Sequence, residues 1–235
     1  MKSMTFSTRL VDRIPRVEGV KTYRFERLKQ YTYEAGQWFI LTIPDGEGYL
    51  TKHFTHSSSP TEGYLDFTTR LTGSLYKTAL DSMPVGTEVE MEGPFGSFTL
   101  REGGQRLAFI TGGIGITPVR SILRYLADTG SDMEVALLYG NQNEDAIPFR
   151  LELETFSSQL PGLRVTHALA DPSPDWGGPT GYIGQETVST ALDDPAGWTY
   201  YVSGPPSMVA AMKGVLDKLG ITRRQMILES FDGYE

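Results

Sequence analysis

The chain has 235 residues, of which 39% are hydrophobic and 21% charged, and its formal net charge at pH 7 is −8. This length allows one or two domains with a sizeable core, and an acidic chain without a basic block is not typical of nucleic-acid binders. The absence of cysteine excludes disulfides, cysteine-ligated iron–sulfur clusters and zinc–thiolate sites. With three histidines, we expect no metal site. Without a signal-peptide core or an apolar run of the ~20 residues that span a bilayer, we expect a cytoplasmic protein.

The first hundred residues have the pattern of an antiparallel β-barrel or sandwich. Short segments that alternate apolar and polar residues are separated by turn sequences at 44–46, 60–63 and 84–86. Many short strands at such spacing favour a small barrel. The predicted strands cover residues 5–10, 20–26, 38–43, 53–57, 64–70 and 88–92.

One helix is predicted within this β-rich half, with Ser74 as its N-cap and an end before Pro84. Because Gly73 and Ser74 precede Lys77, the start of this helix has the features of a phosphate site. An ordinary capped turn explains the same residues equally well. The residues expected to face inward are Leu75, Ala79 and Leu80.

The second half alternates strand and helix patterns after a polar linker at 101–105. This order predicts a parallel sheet with helices on both faces, whose ligands bind at the carboxyl ends of the strands. Strands are predicted at 107–110, 133–139, 163–169, 198–202 and 225–228. Helices are predicted at 118–128, 149–158, 184–192 and 206–219.

A glycine-rich turn follows the first of these strands. Gly112, Gly113 and Gly115 precede Thr117, the expected N-cap, and Pro118, the expected first helical residue. Such a turn directs free backbone N–H groups and a positive helix end at one point, where a diphosphate can bind. The match to a dinucleotide fingerprint is imperfect, because proline replaces the third glycine and the expected acidic residue is missing. An ordinary strand–helix turn therefore remains open at this point.

Taken together, five ordered motifs resemble the ferredoxin–NADP reductase superfamily of flavin-dependent oxidoreductases over essentially the whole chain. Lys52-His53-Phe54-Thr55 is similar to the superfamily's R-x-[YF]-[ST] motif, and 73–77 to its flavin-diphosphate helix start. Gly93-Pro94-Phe95-Gly96 is similar to the end of its barrel, and 112–118 to its nucleotide-diphosphate loop. The fifth motif, 203–208 with Glu229-x-Phe231-x-Gly233-Tyr234, is similar to its C-terminal region.

The resemblance implies two domains, an FAD-binding antiparallel β-barrel at 1–100 and an NAD(P)-binding α/β domain with a parallel sheet at 106–235. It implies catalytic roles for Thr55, Ser203, Glu229 and Phe231. The cofactor-binding residues that it implies are Lys52, His53, Phe54, Thr55, Thr69, Leu71, Gly73, Ser74, Lys77, Gly112, Gly113, Gly115, Thr117, Pro118, Gly140, Asn141, Gly204, Pro205, Met208 and Phe231.

Individual roles follow from the same resemblance. Phe54 is expected against the flavin and Thr55 near flavin N5, which accepts hydride. Lys52 stands where relatives usually have an arginine contacting the flavin diphosphate, so it keeps the charge but lacks the bidentate fork. Ser203 occupies a position that is often cysteine beside the nicotinamide. Glu229 and Phe231 are expected to border the nicotinamide side of the flavin.

The implied function is an FAD-dependent reductase that takes hydride from NAD(P)H and passes electrons to a separate acceptor such as ferredoxin, flavodoxin, an oxygenase component or a small molecule. NADH is favoured because the segments 140–145 and 170–173, where relatives often bind the 2′-phosphate, contain no cation. Arg120 or Arg150 is an alternative source of that charge.

The alternative enzyme is an NAD(P)H:flavin reductase that uses free flavin as a substrate. A flavin- or nucleotide-binding regulatory module is the non-enzyme alternative.

Overall fold

The computed structural model describes residues 2–46, 48–101 and 103–231, which are organised around two β-sheets. The N-terminal sheet consists of β1 (Met4–Val17), β2 (Val20–Glu26), β3 (Trp38–Asp45), β4 (Gly48–Thr55), β5 (Tyr64–Arg70) and β6 (Glu88–Phe95). The C-terminal sheet consists of β7 (Arg106–Gly112), β8 (Glu134–Asn141), β9 (Leu163–Leu169), β10 (Thr199–Gly204) and β11 (Met226–Ser230). The helices are α1 (Leu75–Ser82), α2 (Ile116–Asp128), α3 (Arg150–Gln159), α4 (Gln185–Ala191) and α5 (Pro206–Lys218).

The N-terminal sheet is antiparallel, with the strand order β4-β3-β6-β1-β2-β5. Its inner face holds an aromatic core in which Phe54 of β4 stacks on Phe67 of β5 with ring centroids 4.2 Å apart. These two strands are the ends of the sheet, and the bridge between His56 and Phe67 joins them. The sheet therefore curls until its two end strands meet, with Phe54 and Phe67 stacked inside it.

The C-terminal sheet is parallel, with the order β11-β10-β7-β8-β9 and helices on both faces. Successive side chains of β7 point to opposite faces of the sheet and so contribute to both helix layers. Phe109 packs into the core under α2 and α3, whereas Ala108 and Ile110 pack into the core under α4 and α5. After β9 the chain crosses to the other side of β7. The carboxyl ends of β7, β8 and β10 surround this switch point, which is where ligands bind in open α/β sheets. The predicted fold class is confirmed.

Most element bounds agree with the predicted ones, with differences at several ends. The first strand continues to Val17 because irregularities near Leu10 and Pro15 let it bend without leaving the sheet. The predicted strand at 53–57 instead starts at Gly48 as the second half of a hairpin with β3 and ends at Thr55. The segment 93–95, predicted as part of a turn, belongs to β6.

Helix α1 is capped by Ser74, as predicted, but its buried face differs from the expected one. Leu75 is 66% exposed, whereas the buried residues of the helix are Tyr76, Lys77 and Leu80. The prediction for Leu75 is therefore wrong. Leu75 and Lys77 lie on different sides of the helix, and Lys77 is the one that faces the aromatic core, where its ammonium lies 5.2 Å from the Phe54 ring centroid.

Helix α2 begins at Ile116, two residues earlier than predicted. A 3₁₀ turn at Gly113–Gly115 runs directly into it, so Gly115 occupies the N-cap position. The Thr117 hydroxyl donates back to the Ile114 carbonyl at 3.3 Å instead of accepting a backbone N–H, so Thr117 is not the N-cap. Pro118 still lies in the first turn, where its missing N–H is tolerated. In the portion of the chain that the structure describes, no helix is both long and apolar enough to cross a membrane.

Candidate active site

A cleft of about 770 Å³ opens at the carboxyl ends of β7, β8 and β10. It extends to the N-terminal region, where Arg70 at the end of β5 and Thr72 after it contribute to its wall. Six residues predicted from the sequence line it, namely Gly112, Gly113, Gly140, Asn141, Pro205 and Met208. The glycine turn therefore faces a cavity large enough for a drug-sized ligand.

Close packing explains the glycines of this turn. A Cβ on Gly115 would lie 2.4 Å from the Ser203 carbonyl oxygen, and one on Gly112 would lie 2.7 Å from the Met208 sulfur. Gly113 has a φ of +52° and open space in the direction of a Cβ. The turn can therefore pack against β10 while its backbone stays accessible from the cleft.

A second, narrow crevice lies between the two sheets. Its aromatic walls are Phe54 of β4 and Phe231, whose backbone N–H donates to the Gly204 carbonyl at 2.9 Å. Its polar lining includes Lys52, Thr55 and Thr117. A lining that combines aromatic rings with polar groups suits an aromatic ligand with a polar edge. The remaining lining residues are His53, Thr68 and Ile114.

Thr55 and Glu229 join the ends of β4 and β11 at this crevice. The Thr55 hydroxyl donates to Glu229 Oε1 at 3.3 Å. Burial raises the pKa of the Glu229 carboxyl from 4.5 to about 7, although the Thr55 hydrogen bond lowers it. Two of the predicted catalytic residues therefore meet, and Phe231 lines the same crevice.

Ile114 lines both the cleft and the crevice. It lies between Gly113 and Gly115 in the turn that precedes α2, so a single turn of backbone separates the two spaces. Ligands in the cleft and in the crevice would therefore adjoin at this residue.

The residues around the crevice and α1 fit an FAD. Gly73 and Ser74 are exposed at the start of α1, and Gly73 has a φ of +72° with open space around it. Lys52 supplies a cation next to the Phe54 ring on the same strand. Free N–H groups at a helix start, a cation and an aromatic wall are the donor set that a flavin with a diphosphate requires.

The cleft fits a nicotinamide nucleotide. Asn141 lines it, and its side-chain nitrogen is buried beside the Tyr139 hydroxyl. An amide nitrogen has two N–H donors, and a single hydroxyl oxygen accepts only one of them. The second donor, together with the open Gly113 backbone, gives the cleft the polar groups that bind a nucleotide.

Ser203, Thr69 and Leu71 are among the predicted residues that do not line either space. Ser203 is fully buried, and its hydroxyl donates to the Gly115 carbonyl at 2.8 Å, so it supports the glycine turn from below. Thr69 is also fully buried and accepts a hydrogen bond from the Lys77 ammonium. The half-buried Leu71 is held by its backbone N–H, which donates to Gly19 at 2.7 Å.

Lys77 is placed differently from a surface diphosphate ligand. Its side chain is 1% exposed, and its ammonium also donates to the Arg70 carbonyl at 3.2 Å. Burial, and to a smaller extent the nearby Lys52 charge, lower the pKa of Lys77 from 10.5 to about 7. The positive charge of this lysine therefore lies inside the N-terminal sheet, next to Phe54.

Several lining residues were not among those predicted. Arg70 and Thr72 line the cleft just before the helix start at Gly73. For Arg70, a cation at the end of a strand beside a possible phosphate site is the sequence signal that could have identified it. Tyr182 is 91% exposed and lines the cleft from a loop after β9, where sequence pattern alone gives no sign of its orientation. Gly233 and Tyr234 of the C-terminal motif lie outside the described residues. Across the described ranges, no group of three or more potential ligands could hold a metal ion.

Two family models match the chain. Residues 8–100 match an oxidoreductase FAD-binding domain, and residues 109–214 match an oxidoreductase NAD-binding domain. The chain is 29% identical to ferredoxin–NADP reductase B of Sorangium cellulosum over 97% of its own length and 98% of the relative. It is also 29% identical to the toluate 1,2-dioxygenase electron transfer component of Pseudomonas putida, over 87% of the chain but only 60% of that protein.

A solved structure shows the same fold. A ferredoxin–NADP⁺ reductase from Neisseria gonorrhoeae with bound FAD and NADP matches with a TM-score of 0.83 at 19% identity, covering 96% of this chain and 98% of the other. The match to the FAD-binding domain thus coincides with the antiparallel sheet, and the match to the NAD-binding domain with the parallel sheet. The chain belongs to the ferredoxin–NADP reductase superfamily of NAD(P)H-dependent flavoprotein oxidoreductases.

Proposed function

We propose that this protein is an FAD-containing reductase that takes electrons from NADH and delivers them to a separate acceptor, such as ferredoxin, flavodoxin or an oxygenase component. The observation that carries the proposal is the position of Ile114, which lines both the nucleotide cleft and the aromatic crevice. When bound, FAD accepts hydride from the nicotinamide and can release electrons singly. Residues 1–100 and 106–235 are the corresponding FAD-binding and nucleotide-binding domains.

In this proposal the protein mainly orients the two cofactors. Phe54 and Phe231 form the walls for the flavin ring, and Thr55 offers a hydroxyl at its edge. Lys52 and the start of α1 at Ser74 bind the flavin diphosphate. The Gly112–Gly115 turn and Asn141 bind the nicotinamide nucleotide. Holding both rings together makes the transfer effectively intramolecular, which is a large part of the rate enhancement.

Arg70 lines the cleft on the side of the N-terminal sheet, but the charges on the Gln142 side support NADH over NADPH. Arg120 is committed to Glu62 and Glu152, and Arg150 pairs with Glu154 at 3.5 Å. The two arginines considered as sources of a 2′-phosphate site are therefore both paired with carboxylates. Acidic residues at 144–145 and 171 lie beside the lining residues Gln142 and Ala170. Such a rim disfavours a group with about two negative charges.

The named activities of the relatives support the class of acceptor. The Sorangium protein is named a ferredoxin–NADP reductase, and the Pseudomonas protein an electron transfer component of a dioxygenase. Because these 235 residues contain no cysteine, a cysteine-ligated iron–sulfur acceptor would have to lie outside them. We therefore propose a separate small electron carrier or oxygenase component as the partner.

A flavin reductase that uses free flavin is the second candidate, and the burial of Lys77 favours it. With Lys77 buried, the diphosphate site of the proposed reductase would consist of Lys52 and the start of α1. The test is to purify the protein without added flavin and to identify any released chromophore. One FAD per chain supports the proposal. A colourless protein that reduces added flavin with NADH would favour the free-flavin enzyme.

A further inference from the structure

Helix α2 connects the nucleotide turn to the strand end that carries Thr55. The helix begins immediately after Gly113–Gly115, and one turn later it carries Arg120 and Ser121, which are 6% and 0% exposed. Both side chains leave the C-terminal region and bond to the N-terminal one. The contact partners are the backbone carbonyls of Ser57 and Ser58, two and three residues after Thr55.

The bonds of this contact are short and buried. Ser121 Oγ donates to the Ser58 carbonyl at 2.6 Å, and Arg120 Nη1 donates to the Ser57 carbonyl at 3.0 Å. On the barrel side, the backbone N–H groups of Ser57 and Ser58 donate to the Asp66 carbonyl of β5 at 2.8 and 3.2 Å. The segment after Thr55 is therefore fixed to β5 on one side and to α2 on the other.

Arg120 uses its whole guanidinium in this contact. Besides Ser57, it donates to both carboxylate oxygens of Glu62, at 2.5 and 3.1 Å, and twice to Glu152 Oε2, at 2.9 and 2.7 Å. These five bonds match the five N–H donors of an arginine side chain. A lysine would keep the charge but has three donors and no planar fork, so it cannot make all of these contacts.

The first turn of the same helix, one turn before Arg120, reaches the site. Thr117, in the first turn of α2, lines the crevice together with Thr55, while Ile114 lines both spaces. We propose that Arg120 and Ser121 are positioning residues that set the distance and angle between the two cofactors, an inference that rests on the proposed function. A displacement of α2 along the Ser57–Ser58 segment would move the nucleotide turn relative to Phe54 and Thr55. A misplacement of about 1 Å can reduce such a transfer about a hundredfold.

The test compares Arg120→Lys and Ser121→Ala with Arg124→Lys as the matched control. Arg124 lies one turn further along α2 and pairs with Asp128 at 2.7 Å, near the surface. We expect both test variants to retain FAD and to keep KM for NADH within about twofold. We expect the rate of flavin reduction at saturating NADH to fall about tenfold or more. Arg124→Lys is expected to behave as the wild type.

Two further readouts separate positioning from a loss of folding. The long-wavelength charge-transfer absorbance of the reduced protein with NAD⁺ should weaken in both variants, because it reports ring stacking directly. Amide hydrogen exchange in the flavin-free protein should increase at 113–118 and 55–58. Ser121→Ala removes one hydroxyl and keeps the test informative if Arg120→Lys folds poorly.

The outcomes distinguish this inference from the proposed function. If NADH fails to reduce the wild-type flavin, the proposed function is wrong. If the wild type is reduced and both variants lose thermal stability while their reduction rate and charge-transfer band stay unchanged, the contact is structural and the positioning role is wrong.

Discussion

The Thr55 hydroxyl donates to the Glu229 carboxylate at 3.3 Å, which joins strand ends 174 residues apart in the sequence. This bond connects the crevice wall of the N-terminal sheet to the last strand of the C-terminal sheet. Because burial raises the pKa of Glu229 to about 7, the charge at this junction changes near neutral pH. Stability and cofactor binding should both respond to that charge.

The first prediction concerns Glu229 and folding stability. A carboxyl whose pKa rises from 4.5 to about 7 on folding binds more protons in the folded state between these values. Its contribution is therefore fully present below pH 4.5 and is lost as pH rises through about 7. Glu229→Gln should remove this loss, whose slope is at most about 1.4 kcal/mol per pH unit. Urea unfolding of both proteins across this range checks it, and parallel pH profiles would contradict it.

The second prediction concerns Lys77, whose effect on the pH dependence of folding stability has the opposite sign and lies at higher pH. Its pKa falls from 10.5 to about 7 on folding, so the unfolded state binds more protons between these values and stability rises with pH across them. Lys77→Met should flatten this rise and stabilise the flavin-free protein at pH 7 by about 1 kcal/mol or more. Lys213→Met, at a lysine about half exposed in an ion pair with Asp217, is the control. A steeper rise in the variant would show that burial does not determine the Lys77 charge.

Gly115→Ala should impair nucleotide binding. The new Cβ would meet the Ser203 carbonyl at 2.4 Å and push the turn away from β10. We expect KM for NADH to rise about tenfold, the effect of about 1.4 kcal/mol. Gly214→Ala on α5, where a Cβ has open space, should leave KM unchanged and stabilise the fold slightly. An unchanged KM in Gly115→Ala would argue against this turn as the diphosphate site.

Gln142→Arg should improve the use of NADPH. Gln142 lines the cleft on a rim whose nearby charges at 144–145 and 171 are acidic, so an arginine there would add a cation on that side. A charge-assisted hydrogen bond to a phosphate contributes about 1.5–3 kcal/mol, so kcat/KM for NADPH relative to NADH should rise at least about tenfold. Gln159→Arg, at the end of α3, is the control. A wild type that already prefers NADPH would contradict the proposed coenzyme.

Lys52→Arg should tighten FAD binding. Both side chains carry one positive charge, but the guanidinium binds a diphosphate through two parallel hydrogen bonds. We expect FAD to dissociate about tenfold more slowly, measured by the recovery of flavin fluorescence on dilution. Lys29→Arg, outside the crevice lining, should change nothing. Unchanged dissociation would indicate that Lys52 does not contact the diphosphate.

The sequence was sufficient for features that depend on local pattern. Strand periodicity located β2 and β5 at their observed bounds, and Ser74 was identified as a cap because a hydroxyl before an apolar helical pattern satisfies backbone N–H groups. The predicted start of α2 is two residues late because Thr117-Pro118 has the pattern of an N-cap followed by a first helical residue, whereas proline is tolerated throughout the first turn.

Features that depend on three-dimensional packing were beyond the sequence. Lys77 reads as a surface cation on a short helix, and only the position of α1 against the aromatic core buries it. The Ser203 hydroxyl donates to the Gly115 carbonyl beneath the turn, a contact that the motif around Ser203 does not indicate. The Arg120 contact joins residues 63 positions apart through side chain and backbone, which no local pattern indicates.

The most direct test of the central claim is an anaerobic titration of the purified, flavin-loaded protein with NADH, followed by its visible absorbance. The account predicts complete bleaching of the oxidised flavin by one equivalent of NADH, a much slower response to NADPH, and recovery when an oxidised ferredoxin or flavodoxin is added. Bound flavin that neither nucleotide bleaches would contradict the assignment of the cleft and the crevice as adjoining parts of one hydride-transfer site.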